Sequence, residues 1–281
     1  MDKREHYVHG ELLKTKSRSN VDLANAYQLY LKFIDQISKE YIRDEVGVNK
    51  LVFEFNEYRK QVIGILESRK NSGQENLRSS MLEEFFCHLF SDLLKESLSN
   101  IPNNLFMGKA KSYVDLAFSP SSFKNIFVNP NPYIHTKDQD FVLGVSLDLE
   151  ILSNKHSFKE KLIIPVLAIE CKTYIEKNML DSCAGTARRL KSAMPYCMYI
   201  VVAEYMKMKD VQPELSDINE IYIFCKATNS DRLKNRKNKL TPHPVNAVLV
   251  FDLFMKVKGH LNSIWWSPDS ALRTGKIINR P

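Results

Sequence analysis

Apolar residues recur at helical spacing from Val21 to about Tyr41, at Leu23, Tyr27, Tyr30, Leu31, Ile34, Ile37 and Tyr41. That stripe predicts an amphipathic helix packed against another element. A second helix is expected over Leu51 to Lys70, presenting Val52, Phe55, Tyr58, Val62, Ile65 and Leu66. The segment Asn71 to Gln74 breaks the pattern. Leu77 to Leu94 resumes it through Leu77, Met81, Phe85, Phe86, Leu89 and Leu93, with Glu83 and Glu84 away from the centre of the stripe. Residues 100–137 carry Pro102, Pro120, Pro130 and Pro132, and read as irregular chain with one short strand near Tyr113 to Phe118.

The period then changes from helical to two. Phe141, Leu143, Val145, Leu147, Leu149 and Ile151 alternate with smaller or polar residues, as in a half-buried strand. Leu162 to Ile169 is apolar throughout, which predicts a central strand covered on both faces. Ser153 to Ser157 between them is turn-like, so the two runs read as a β-hairpin. Pairing about Lys155 would set Asp140 opposite Glu170 and Asp138 opposite Lys172, all four projecting from one face. A helix from about Asn178 to Ser192, capped by Asn178, leads to a strand at Tyr196 to Ala203 parallel to the second hairpin strand. A short strand at Ile221 to Cys225, a basic loop at Asp231 to Leu240 and a helix from Ala247 to Leu261 complete the chain. The alternation of strands and helices is that of an α/β protein. Residues 1–72 form an N-terminal helical subdomain and residues 73–281 the main domain.

Composition narrows the class. With 281 residues, 44% hydrophobic and 26% charged, the chain is an ordinary globular protein able to bury a sizeable core. A net charge of +7 favours polyanionic partners, because each phosphate neutralised by Lys or Arg releases a counterion. The five cysteines are widely spaced without a C-x-x-C pair and read as buried thiols in a reducing compartment. The charged start of the chain and the lack of a membrane-length apolar run make it cytoplasmic in expectation, with no membrane partner.

Two carboxylates and an ammonium at one sheet end describe a divalent-metal site beside a positive charge, a combination suited to phosphodiester chemistry. Asp140 or Asp138, with Glu170, would supply hard oxygen ligands to Mg²⁺. Lys172 would orient or deprotonate the attacking water and offset charge on the phosphate. The candidate DNA contacts are Arg188, Arg189 and Lys191 on the helix after the hairpin, and Arg232, Lys234, Arg236, Lys237 and Lys239 in the basic run. Gly108 to Ser112 lacks the spacing of a nucleotide-binding loop, and no Cys/His cluster has zinc-ligand spacing.

The succession of acidic helix, aspartate, Glu-x-Lys on a hairpin, helix and strand resembles the PD-(D/E)XK nuclease superfamily. Within it, Lys137 to Phe141, Glu170 to Tyr174, Met179 to Asp181 and Pro195 to Glu204 are similar to type II restriction endonucleases of the BbvCI kind. The resemblance spans roughly residues 75 to 265, and departs from the pattern at Gln139, where a proline would precede the aspartate. It implies a restriction-endonuclease-like core with a mixed central sheet flanked by helices. It also implies a Mg²⁺-dependent hydrolysis of double-stranded DNA to 5′-phosphate and 3′-hydroxyl ends. Asp140, Glu170 and the Cys171 carbonyl would be the metal ligands, Lys172 would handle the water, and Glu84, or Glu83, would be the helix acid. Enzymes of this kind cut asymmetric seven-base-pair sites with two different subunits, so a homologous second subunit is expected, as a heterodimer or else a homodimer. The alternatives are a structure-specific resolvase or repair nuclease on the same core, and a non-catalytic DNA-binding subunit.

Overall fold

The structure, a computed structural model, describes residues 8–39, 42, 44–68, 75–97, 102–153, 156–208, 211–263 and 267–276. Four helices come first: α1 (Val8–Ser17), α2 (Val21–Ile37), α3 (Glu45–Leu66) and α4 (Glu75–Ser97). Two of them start where a side chain satisfies an orphan amide, Asn20 accepting from Leu23 N and Asp44 from Gly47 N. Periodicity does not predict α1, whose buried face is only His9, Gly10 and Leu13. The expected break at Asn71 to Gln74 lies outside the described residues.

The rest of the chain builds a five-stranded sheet in the order β1 (Leu105–Phe118), β2 (Pro132–Ser153), β3 (His156–Ile175), β4 (Met198–Met206), β5 (Glu220–Thr228). The first three strands run antiparallel, while β3, β4 and β5 run parallel. Helix α5 (Lys177–Ala193) makes the crossover that the parallel β3–β4 pair requires. After β5 come α6 (Asn229–Lys237), α7 (Ala247–Leu261) and α8 (Pro268–Thr274).

Alternation along β4 shows why the sheet is covered on both faces. Met198, Ile200 and Val202 pack into a core with α1 to α4 and α7, where Phe86, Phe141, Phe224 and Phe254 meet. Tyr199, Val201 and Ala203 point the other way, onto Leu180, Cys183, Ala187 and Leu190 of α5. The N-terminal helices share that first core with the sheet. All five cysteines are buried and free.

Three expectations are corrected. The irregular stretch contains a full strand, β1, because its prolines flank the pairing segment without interrupting it, and two register shifts absorb the mismatches near Gly108 and Tyr113. The cap position of α5 is Glu176, with no side-chain cap bond, so Asn178 lies inside the helix. The basic run is helical over α6: Thr228 and Asp231 close a reciprocal capping box that a count of basic residues does not reveal.

The hairpin register has a specific cause. Ser153 pairs with His156, and the ladder at this end is one residue out of step with the expected register, whose centre at Lys155 lies outside the described residues. A shift between Leu143 and Gly144 restores it, so that Leu143 pairs with Leu167 and Phe141 with Ile169. Pro165 pairs with Gly144 at this irregularity and has no N–H to donate. A Cβ on Gly144 would stand 2.2 Å from the Ile164 carbonyl oxygen, so glycine is what lets the strands approach here.

Candidate active site

The β2–β3 ladder ends at Phe141 and Ile169. One step beyond, the Cys171 amide donates to Oδ2 of Asp140 at 2.9 Å, a side chain standing where a main-chain acceptor would be. Lys172 Nζ lies 2.5 Å from Glu170 Oε1 and 3.8 Å from Asp140 Oδ2. These side chains are 19–27% exposed, mostly against protein with an edge open to solvent. Asp138 is placed differently: it pairs with Lys111 of β1 and is exposed, so the expected Asp138–Lys172 pairing does not form.

A second lysine enters from β1. Lys109 Nζ lies 3.1 Å from Glu83 and 3.6 Å from Asp140, bridging α4 to β2. The sequence does not single out Lys109, because Gly108 to Ser112 lacks the spacing of a nucleotide-binding loop and the partner Glu83 is far away in the chain. The signal Lys109 does carry is its place directly after the run Leu105 to Gly108, at the end of the strand segment nearest α4.

The two glutamates of α4 have different surroundings. Glu84 turns into the helical layer, accepting from the Gly10 amide at 2.9 Å and lying 3.5 Å from His88 Nε2. Burial raises its pKa, but His88, His9 and that amide outweigh burial and hold it below the usual value. Glu83 instead lines the cleft with Lys109, Asp140, Cys171 and Lys172. Burial pushes its pKa up to about 7, opposed by Lys109 and reinforced by Asp140 and Glu170. Of the two, Glu83 is therefore the acid facing the catalytic candidates.

The electrostatics describe carboxylates short of cations. Glu170 is raised, first by burial and then by Asp140, against the pull of Lys172 and Lys137. Burial would lower Lys172, but Glu170 and Asp140 outweigh it and raise its pKa, so its ammonium is held charged. Among the described residues no group of three or more His, Cys, Asp or Glu side chains is arranged to hold a metal. The carboxylates of Asp140 and Glu170 meet beside Lys172, and oxygen donors of this kind suit a hard divalent ion that retains several waters.

The other predicted contacts spread out. Arg188 and Arg189 are exposed on α5, about 18 Å along the helix axis from its start at the site end of the sheet. Lys191 is half-buried on the same last turn. Arg232, half-buried, and Arg236, exposed, both join the cleft lining, while Lys234, Lys237 and Lys239 are exposed.

Residues 74–276 match the family described as Bpu10I restriction endonuclease. The fold is similar to that of the native BbvCI A2B2 tetramer solved at low resolution, with 22% identity, 92% of this chain and 99% of that chain covered, and a TM-score of 0.65. A restriction endonuclease PspGI–substrate DNA complex aligns with 13% identity over 84% of this chain and 93% of that chain, at a TM-score of only 0.32. No protein of curated function matches the sequence significantly. The family match covers most of the chain and includes Asp140, Glu170 and Lys172 together with Glu83 and Lys109. The chain thus belongs to the Bpu10I restriction endonuclease family and is a type II site-specific deoxyribonuclease.

Proposed function

We propose that this chain is a strand-cleaving subunit of a type II restriction enzyme that uses Mg²⁺, acts with a homologous second subunit and cuts an asymmetric seven-base-pair site. The observation that carries this reading is the meeting of Asp140, Glu170 and Lys172 where β2 and β3 part, with Asp140 and Lys172 lining a cleft of about 520 Å³. Family membership implies dependence on a divalent metal in general; the choice of Mg²⁺ follows from the all-oxygen donor set. The second subunit is supported by the assembly of the BbvCI protein whose fold this chain shares. Residues 1–72 are assigned to recognition or subunit contacts, and residues 73–281 to the nuclease core.

Asp140, Glu170 and the Cys171 carbonyl would hold the metal. When bound, it would polarise a phosphoryl oxygen and acidify a coordinated water. Lys172, held charged by both carboxylates, would donate a hydrogen bond to the attacking water and offset charge gathering on the phosphoryl oxygens. Attack at phosphorus breaks the bond to the 3′ oxygen, leaving a 5′-phosphate and a 3′-hydroxyl. Glu83, with a pKa near neutrality, can accept or hold a proton at the edge of the same cleft. Lys109 keeps Glu83 and Asp140 from repelling each other.

The test is digestion of plasmid DNA with Mg²⁺, with and without a homologous second subunit. Discrete fragments with 5′-phosphate ends are expected. Glu170→Ala and Lys172→Ala should each lower cleavage by at least about 10²–10³-fold while metal-free DNA binding persists. Wild-type rates in either variant would remove these residues from the site. Cleavage of branched junctions but never of plain duplex would favour the resolvase reading.

A further inference from the structure

Beyond the catalytic carboxylates the cleft continues into a second cavity of about 430 Å³, and Glu67, Arg78, Arg232 and Arg236 line both. Four separate elements meet there. Glu67 caps α3, Arg78 comes from α4, Glu204 from β4, and Arg232 and Arg236 from α6. The fully buried Glu204 pairs with Arg59 and, at 3.3 Å, with Arg78. Glu67 pairs with Arg78, with Arg232 at 2.9 Å and with Arg236 at 3.5 Å, and its carbonyl accepts from Arg236 at 2.6 Å.

In the recess the guanidiniums of Arg78, Arg232 and Arg236 thus face the one carboxylate of Glu67, an excess of two positive charges among these four side chains, while Arg59 and Glu204 pair beneath. A tie whose only task was to hold helices to the sheet would be charge-balanced and closed. This one is neither, since the Arg236 side chain is 49% exposed. Among the described residues the Nε atoms of Arg78 and Arg232 are buried without a hydrogen-bond partner. The pKa of Arg78 is lowered, first by burial, with Glu204 opposing and Arg232 and Arg59 adding to the effect. An anion in the recess would relieve that repulsion, and guanidinium forks match phosphate oxygens in geometry.

We propose that Arg78, Arg232 and Arg236 form a phosphate-binding subsite that takes a backbone phosphate of the cleaved strand beside the scissile one. The proposal rests on the nuclease reading above, which supplies the polyanion. It adds Arg78 to the DNA-contacting residues and assigns a role to the inward face of α6. Glu67 positions the three guanidiniums, and Glu204, sealed beneath, fixes Arg78 from the opposite side.

The test is equilibrium binding of a random-sequence duplex of about thirty base pairs by the full-length protein, in EDTA, over a range of KCl concentrations. Arg236→Ala should weaken binding and reduce the slope of log K against log salt by about 1, while Arg236→Lys should keep most of the slope. A wild-type slope in Arg236→Ala overturns the subsite, and if its thermal stability falls at the same time, the cluster is a structural tie only. Wild-type protein with no salt-dependent binding also overturns it. Because the readout needs no cleavage, a wild-type protein that cuts DNA while Arg236→Ala keeps the wild-type slope would refute the subsite and leave the nuclease reading standing.

Discussion

The amide of Cys171 donates to Oδ2 of Asp140 at 2.9 Å, at the point where the β2–β3 ladder has just ended. The bond fixes the Asp140 carboxylate against the end of β3, leaving its other oxygen toward Lys109 at 3.6 Å. Asp138 has the same parity but sits exposed in the β1–β2 pairing. Asp140→Ala should therefore lower Mg²⁺-dependent cleavage by about 10²-fold or more, and Asp138→Ala should stay within a few-fold of wild type. Single-turnover cleavage of plasmid DNA separates the two; equal losses would return the choice of ligand to Asp138.

Glu83 gives stability a pH dependence of known sign. Its folded-state pKa is about 7 against an ordinary value of 4.5. Over that interval the folded chain holds a proton that the unfolded chain has lost, so this group makes stability fall as pH rises and level off above about 7. Glu83→Gln should remove that fall, so the variant should gain stability relative to wild type at about pH 8 compared with about pH 5. Urea unfolding at the two pH values measures it, and an unchanged pH difference in the variant would refute the assignment.

Glu204 is a buried carboxylate whose removal leaves two guanidiniums uncompensated, Arg59 and Arg78. Glu204→Ala should cost about 3–5 kcal/mol of stability, since a buried charge stripped of its partner keeps its desolvation penalty. Equilibrium denaturation checks this; a loss under about 1 kcal/mol would mean that solvent or a neighbour replaces the carboxylate.

Gly144 links fold to site. With the Ile164 carbonyl 2.2 Å from where a Cβ would stand, Gly144→Ala must displace backbone at the register shift. A destabilisation of about 1–3 kcal/mol is expected. Cleavage should fall as well, because this irregularity brings Phe141 opposite Ile169 and so Asp140 beside Glu170. A variant as stable and as active as wild type would show that the strands can pair closely without glycine here.

The sequence by itself determined the elements whose signals are local. The period-two run beginning at Phe141, the apolar block of Leu162 to Ile169 and the strand at Tyr196 to Ala203 each carry their own pattern, because burial on one or both faces is written residue by residue. Those patterns carry Asp140, Glu170 and Lys172 at their ends, and pairing of the two strands is enough to bring these three together. Tertiary structure decided what depends on the meeting of distant segments. Which glutamate of α4 faces the cleft follows from the packing of α1, which brings the Gly10 amide and His9 to Glu84 and leaves Glu83 to Lys109. The reach of Arg232 and Arg236 into the cleft lining follows from Glu67, a residue far away in sequence at the end of α3. A charge in a sequence has no direction, and its direction is set by the partner that offsets the cost of its burial.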